Sequence, residues 1–419
     1  MNPHGTTFSV LARSFSSIAA IPKEDRVTNT PVPTTTELVS RAADLVPLLK
    51  QNATWTEENR RLHDETVEAL ADAGVFKLRV PKRYGGYEAS ARTIVDVATQ
   101  LGRGDGATAW VASVYWIPTW MVGLFPDAVQ DEVFATENVR VCGTLSPTGM
   151  ATPVDGGIVV NGQWGFISGA PHAHWQEIIA MGQAPDGTPM PIMALAPLSE
   201  LEVVDDWYAS GLKGSGSVTT VAKDLFIPAE RVLPLPAVLT EQYASKLNAD
   251  SPMYKAPLLG VAAASSVGTL LGLAKAAQEN FFERLPNRKI TYSGYAHQHE
   301  APVTHLQVSE ATLNIDRAEF HGYRVADHVD TKGESGEPWK LEERARARAD
   351  IASVAQLAKA AVDTFALASG GSSIYSGVPI QRIARDAQAA NMHALIYPPT
   401  SYELYGRILC GLEPDTPYI

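Results

Sequence analysis

The sequence predicts an α+β chain, mostly helical, in which a helical segment, a β segment and a second helical segment follow one another. Three observations carry this prediction. Apolar residues recur at helical spacing from Thr36 to Gly74 and again through TIVDVATQLGRGDGATAWVASVYW. Between about Val139 and Leu233 short β-branched runs are punctuated by glycine and proline. After Pro257 helical patterns return, rich in alanine and glycine. The boundaries read as a flexible tail over 1–30, a helical domain over 31–138, a β domain over 139–235 and a helical bundle over 236–419.

In the first helical region Leu38, Ala42, Leu45 and Leu49 share a face, and Val67, Leu70 and Ala71 continue it up to a C-capping Gly74. Pro81, Gly85 and Gly86 mark a loop, and Gly104-Asp105-Gly106 splits the two helices that follow. In the middle region, alternation near Ile158 to Val160 and the turns at Asp155-Gly156-Gly157 and Pro185-Asp186-Gly187 predict the strands of a small barrel or sandwich. In the last region Ile351, Val354, Ala358, Ala361 and Phe365 form one helical face, and the small residues suit the close approach of a four-helix bundle. The final helix is expected from Pro379 to Tyr397, since Pro398 and Pro399 would not continue it.

Composition removes several function classes. The 419 residues carry a net charge of −12 and no basic run, which argues against nucleic-acid binding. Two cysteines, Cys142 and Cys410, give no zinc spacing and no disulfide framework, and both read as buried thiols in a reducing compartment. No run of about twenty uninterrupted apolar residues occurs, so no membrane-spanning helix is expected. The serine-rich first thirty residues have too few arginines for a transit peptide; they read as a tail or docking arm, and the protein as cytoplasmic. His172 and His174, or His297 and His299, have ligand-like spacing without an accompanying carboxylate or cysteine cluster, so no metal site is expected.

The chemistry-bearing motifs begin with TLSPTG at 144–149 and GQWGFISGAPHAHW at 162–175. Ser146, Thr148 and Ser168 at strand ends, with Trp164 as a wall, could hold a flat heteroaromatic ring through its nitrogens and carbonyls. Gly211, Gly214 and Gly216, interleaved with Ser215 and Ser217, are by themselves as readily a flexible connection as a phosphate loop. Arg288 could grip a phosphate, and Gly370, Gly371, Ser372 and Ser373 offer backbone N–H groups between helices. Taken singly, Arg288 is equally a surface charge and the glycine pair a helix break. His393 lies on an apolar pattern, where a histidine is ordinarily a satisfied core residue.

Together these features resemble the acyl-CoA dehydrogenase fold and, within it, the two-component monooxygenases that use reduced flavin to oxygenate aromatic compounds. The resemblance covers about residues 36 to 413. It rests on S-G-x-x-H-A-x-W from Ser168 to Trp175, and on the family's W-x-x-x-G-x-R-G-T-G-S, met from Trp207 to Ser217 with Lys213 for arginine and Ser215 for threonine. It rests also on Arg385-Asp386-Ala387, and on His393 followed by Tyr405-Gly406-Arg407. A dehydrogenase needs a carboxylate base shortly after R-D-A, whereas here His393 and Ala394 stand where it would be sought and no glutamate follows before Glu403.

The resemblance implies a flavin site at Trp110, Leu145, Ser146, Thr148, Trp164 and Ser168, with Ser146 or Ser168 beside flavin N5. It implies a phosphate end at Arg288, Gly370, Gly371, Ser372 and Ser373, contributed partly by different subunits of a homo-oligomer, expected to be a tetramer. His393 is implied as the substrate-facing catalytic base, in a pocket with Tyr115, Trp116, Pro118 and Tyr397. The implied cofactor is FMNH2 or FADH2 with O2 as co-substrate, reacting through a flavin C(4a)-hydroperoxide. No G-x-G-x-x-G follows a strand and opens a helix, so a separate NAD(P)H:flavin reductase is expected as partner. Phenol-hydroxylating relatives often carry a second pocket histidine where this chain has Pro118, which favours a larger polycyclic or heteroaromatic substrate. Two alternatives stay open: an acyl-CoA dehydrogenase-like flavoprotein with a relocated base, and a flavin-binding oligomer without turnover.

Overall fold

A computed structural model describes residues 32–184 and 186–419. The 1–30 tail expected from the sequence lies outside them. The first region is helical, as read: α1 (Thr35–Asp44), α2 (Val46–Asn59), α3 (Asp64–Asp72), α4 (Ala91–Gly104), α5 (Gly106–Val122) and α6 (Asp127–Val133). The G-D-G break works through Asp105, whose carboxylate accepts the Thr108 N–H at 2.8 Å and caps α5. Gly74 takes a left-handed backbone just after α3, as its C-cap reading required.

Eight strands follow: β1 (Val141–Gly143), β2 (Gly149–Val154), β3 (Gly157–Ile167), β4 (Trp175–Gln183), β5 (Pro189–Pro197), β6 (Glu202–Val204), β7 (Val218–Pro228) and β8 (Val232–Pro234). They pair in the order β6-β7-β3-β2-β4-β5-β8, with β1 parallel to β4. This is one mixed sheet with β6 and β8 as its ends, the central β domain expected from the alternation. Short β1 and β2 share one edge of β4, at Trp175–Glu177 and Ala180–Met181 respectively.

The last region holds α7 (Leu235–Leu239), α8 (Leu258–Arg284), α9 (Pro302–Ser335), α10 (Leu341–Ala368), α11 (Pro379–Asn391) and α12 (Pro398–Leu409). Ile351, Val354, Ala358, Ala361 and Phe365 are all buried on α10, as their spacing predicted. The bundle reaches across the chain: α8 packs on α4 as well as on α9 and α10. A Cβ at Gly102 of α4 would lie 2.9 Å from the Cα of Gly272 on α8, and one at Gly268 2.5 Å from the Ala98 Cβ. Only hydrogen at these positions lets the two backbones touch. The stretches Leu258–Asn287 and Leu341–Ala368 are long and apolar enough to cross a membrane by length and composition; the first is nearly all buried within the protein, the place of a core helix.

Two expectations about the C-terminus fail. The helix starting at Pro379 stops at Asn391, and Pro398-Pro399 open a new helix where they were expected to close the old one. Proline at the first helical position loses no hydrogen bond, because that N–H has no intrahelical partner in any case. Cys142 is buried but Cys410 is exposed, being the C-cap of the terminal helix.

Two core clusters sandwich the sheet. Trp175 and Ile179 of β4 join Trp110, α8 and α10 on one side, while Ile178 and Ala180 join α1, α4 and Trp164 on the other. The period-2 alternation of a strand divides β4 in this way.

Candidate active site

His393 sits in the turn between α11 and α12. Its backbone carbonyl accepts the N–H groups of Ile396 and Tyr397, both at 2.9 Å, and its Nδ1 accepts the Leu395 N–H at 3.4 Å. A neutral imidazole accepting at Nδ1 carries its proton on Nε2, the nitrogen left for a ligand. The residue is exposed, yet the protein crowding the ring pushes its pKa down, to about 4. Solvent on the open side moderates that shift without reversing it, and the ring is neutral at pH 7.

The imidazole meets the ring of Trp110 on α5 edge to face, with centroids 5.3 Å apart. The Trp110 indole N–H in turn donates to Ser168 Oγ at 3.1 Å, Ser168 Oγ lies 2.7 Å from Ser217 Oγ, and Ser217 Oγ lies 2.6 Å from Ser215 Oγ. A histidine, an indole and three hydroxyls from four distant segments thus form one continuous line. Ser168 is presented by a tight turn in which its N–H donates to the Phe166 carbonyl at 2.9 Å. Phe166 has a φ of 63°, a left-handed conformation unfavourable to an aromatic residue, and its ring stands 74% exposed beside Trp207.

Four of the residues expected at the site lie in the interior. Trp164 is fully buried, its indole N–H donating to the Ile179 carbonyl at 2.8 Å, so it is sheet core; the exposed aromatic on that strand end is Phe166. Two positions apart, they would share a face in a regular strand; the left-handed backbone at Phe166 and the register shift between Trp164 and Ile167 turn the Phe166 ring outward. Trp116 donates to the Val75 carbonyl at 2.8 Å and Tyr115 to the Gly169 carbonyl, and both are buried in the cluster beneath the sheet. Pro118 is buried too. On α5 the residues with solvent access are Val114 and Ile117, four and seven positions from Trp110 on its own face. Tyr115, Trp116 and Pro118 were named from sequence proximity, without regard to the 100° step of the helix. Tyr115 still supports the site, bracing the Ser168–Gly169 turn from behind.

Of the other expected flavin residues, Ser146 is exposed without a side-chain partner and Thr148 Oγ1 donates to the Gln163 carbonyl at 2.6 Å. Leu145 is half-buried, and its carbonyl accepts the Tyr418 hydroxyl at 3.0 Å. Tyr397 is exposed at the start of α12. Ser215 and Ser217 were not assigned a role from sequence; the signal available was the match of their loop to a hydroxyl-bearing family motif. That loop is fixed by α11: Asp386 Oδ1 accepts the Leu212 N–H at 2.6 Å and Arg385 donates to the Ser210 carbonyl at 2.7 Å. Asp386 and the nearby Asp105 are both buried; desolvation first, then their mutual repulsion, raises the Asp386 pKa to about 7.

A second cluster forms where α8 ends. Arg284 and Arg288 each place a guanidinium nitrogen 3.4 Å from Ser372 Oγ, and neither has a carboxylate partner among the described residues. Burial, then the neighbouring Arg284, lowers the Arg288 pKa. Gly370 has a φ of 65°, and a Cβ there would sit 3.0 Å from an Arg288 nitrogen. Ser373 spends its hydroxyl on the Gly370 carbonyl at 2.6 Å, and Gly371 has open space around it. Two uncompensated cations over a glycine-shaped cradle fit a phosphate. Among the described residues no hydrogen bond, ion pair or aromatic contact joins this cluster to the Ser168 line. A surface cleft of about 680 Å³ lies beside the 205–217 loop, but its cations are already paired, Lys213 and Arg385 with Glu57 and Arg60 with Asp205. Among the described residues no three histidine, cysteine or carboxylate side chains are placed to hold a metal, and burial lowers His172 and His174 to a pKa of about 4.

The sequence matches the acyl-CoA dehydrogenase N-terminal domain over residues 40–136 and the C-terminal domain over residues 264–398. It is 32% identical over 376 residues, 88% of this chain and 94% of the relative, to the flavin-dependent monooxygenase oxygenase subunit HsaA of Mycobacterium tuberculosis. This chain belongs to the flavin-dependent monooxygenases of the acyl-CoA dehydrogenase fold. The FADH2-dependent resorcinol hydroxylase oxygenase component of a Rhizobium species is 28% identical over 91% of this oxygenase and 96% of its own length. XiaF from Streptomyces, solved with FADH2 and glycerol, superposes with a TM-score of 0.88 at 29% identity over 92% of the oxygenase and 98% of XiaF. The fold of this oxygenase is thus the expected helical, sheet and helical assembly, and its cofactor is reduced flavin.

Proposed function

We propose that this oxygenase transfers one atom of O2 to an aromatic or polycyclic small molecule at the His393–Trp110–Ser168 site, with FMNH2 or FADH2 supplied by a separate NAD(P)H-dependent reductase. Bound there, reduced flavin would supply the electrons that activate O2, one oxygen going to substrate and the other to water. The carrying observation is that Ser168 Oγ receives the Trp110 indole N–H and touches Ser217 while His393 faces the same indole.

Held by the indole, Ser168 is left to donate its own proton either to Ser217 or outward, to an acceptor nitrogen of a bound ring. Phe166 offers that ring an exposed aromatic face. His393, neutral at pH 7, donates Nε2–H to a substrate hydroxyl or carbonyl and so orients the substrate. A pKa near 4 makes it a weaker base than the sequence alone suggested. Val114, Ile117 and Leu395 add apolar surface that keeps water from the reacting atoms. Arg284, Arg288, Gly370 and Ser372 would hold the flavin phosphate across a subunit boundary, in a homo-oligomer we take to be a tetramer. We place the system in the cytoplasm, where nicotinamide for the reductase is available.

A dehydrogenase reading finds no free carboxylate at or shortly after the Arg385-Asp386-Ala387 segment. Asp386 is committed to Leu212, and Glu403 is exposed 3.9 Å from Arg407. Stopped-flow mixing of oxygen with protein carrying reduced FMN or FAD should reveal an absorbance transient that free flavin lacks. Label from isotopic O2 should then enter an aromatic product. Immediate reoxidation with no transient, or bleaching of bound oxidised flavin by an acyl-CoA, would overturn the proposal. Light scattering that finds a monomer would remove the shared phosphate site.

A further inference from the structure

Glu177 on β4 is a carboxyl group where the fold calls for a hydrocarbon. It lies between Trp175 and Ile179 on the strand face that builds the core shared with Trp110, and it is 1% exposed. Among the described residues neither of its oxygens has a hydrogen-bond partner, and Oε1 is wholly enclosed. Among the described residues no cation compensates it. Burial alone raises its pKa to about 8, and the titratable groups that feel its charge are Cys142 on β1 and Tyr418 from the C-terminal segment, both destabilised as anions. Paired opposite it on β1 is Gly143, where a Cβ would come within 2.9 Å of the Glu177 Cβ and 3.3 Å of its Oε2; the absent side chain makes room for the carboxyl.

The position relative to the site is informative. Leu145 stands two residues beyond Gly143, and its carbonyl takes the Tyr418 hydroxyl. Val114, Ile117, Leu145, Leu395 and Tyr418 are all half-buried against the core cluster that contains Trp110. Glu177 is therefore a neutral carboxylic acid at pH 7, with one O–H to give and a carbonyl to receive, on the strand face whose apolar core is shared with Trp110 and these half-buried residues. Leaving such a group unpaired costs about 1–3 kcal/mol. Buried polar groups are otherwise almost always satisfied, and the exceptions call for a partner.

We infer that Glu177 is a specificity-determining residue, hydrogen-bonding a hydroxyl or carbonyl on the substrate ring system remote from the atom His393 attends. The inference rests on the proposed aromatic oxygenation and refines its substrate class: a ring system oxygenated at both ends. The donor and acceptor of a neutral carboxyl match a neutral hydroxyl, and they penalise an apolar edge by leaving the acid unpaired.

The test compares 2-naphthol with 2,6-dihydroxynaphthalene as probes, with dissociation constants read from tryptophan fluorescence. Wild-type protein should hold the diol about tenfold tighter, the worth of one buried hydrogen bond. Glu177→Gln should keep most of that preference, and Glu177→Leu should abolish it. Equal binding of the two probes by wild type, or a preference that survives in Glu177→Leu, would overturn the inference. Thermal melting without ligand supplies a second readout. A recognition residue carried at the expense of stability predicts a higher Tm for Glu177→Leu, whereas a lower Tm would assign Glu177 to the framework and overturn it too. The flavin transient of the wild-type protein, measured separately, distinguishes failure of this inference from failure of the oxygenase proposal.

Discussion

The indole nitrogen of Trp110 and the hydroxyl oxygen of Ser168 lie 3.1 Å apart, joining α5 to the end of β3 across the sheet boundary. The bond fixes the hydroxyl that we place at the flavin. Trp110→Phe keeps an aromatic ring against His393 and deletes the donor. The lifetime of the flavin transient should fall by about tenfold, with substrate affinity changed less. Stopped-flow traces with and without substrate check this, and an unchanged lifetime would free Ser168 of that dependence.

His393→Ala should still allow flavin to react with oxygen but yield at least about tenfold less product per flavin oxidised, because the substrate loses its orienting donor. For wild type the direction of the His393 shift sets the pH profile. A pKa lowered from 6.5 keeps the ring neutral through pH 6, so the acid limb of product yield should fall well below 6.5. An inflection at 6.5 that disappears in His393→Ala would contradict the neutral-donor role.

Asp386 predicts a stability effect whose sign follows from its raised pKa. Unfolded, it ionises near 3.8, while in the fold the Asp386–Asp105 pair resists ionisation until about pH 7. Between those values the folded state binds more protons, so stability falls as pH rises. Asp386→Asn keeps an acceptor for the Leu212 N–H. It should raise Tm by roughly 1–3 °C at pH 8 and by nothing measurable near pH 4. A pH-independent change in melting temperature would rule out titration of the pair.

Arg288→Gln should weaken binding of reduced FMN by about tenfold to a hundredfold, since a charge-assisted bond to phosphate is lost. The wild-type affinity should decline with ionic strength, and the variant's less steeply. Equilibrium titration at two salt concentrations measures both, and equal affinities would detach Arg288 from the cofactor.

Much of this was legible in the sequence. Helical spacing located α4, α5 and α10, and Gly104-Asp105-Gly106 marked the junction of α4 with α5, because a single capping carboxylate is a local signal. The Ser168–Trp175 motif identified the strand end that carries the hydroxyl. Illegible were relations set by direction in space. Trp164 and Phe166 differ by two positions, yet the left-handed turn at Phe166 sends one inward and the other out. Tyr115 and Trp116 neighbour Trp110 in the chain but look to the opposite core. Glu177 was invisible as a functional residue, since a charged residue in a strand normally belongs to its wet face. Pro398 misled because proline starts helices as readily as it stops them.

The glycine contact between α4 and α8 has a mechanical consequence. A slide of one residue along that seam would push Ala98 or Leu101 toward backbone that leaves space for hydrogen alone. The two long helices are keyed to each other, and a ligand gains no entry by parting them. We expect traffic to the Trp110 face to pass instead by the short connector of residues 392–397 and by the C-terminal residues that reach Leu145. Exchange of flavin and product would then be paced by refolding of a few turns of chain, with the helical frame standing still, and hydrogen exchange should be fastest at His393 and Tyr418 and slowest along the seam.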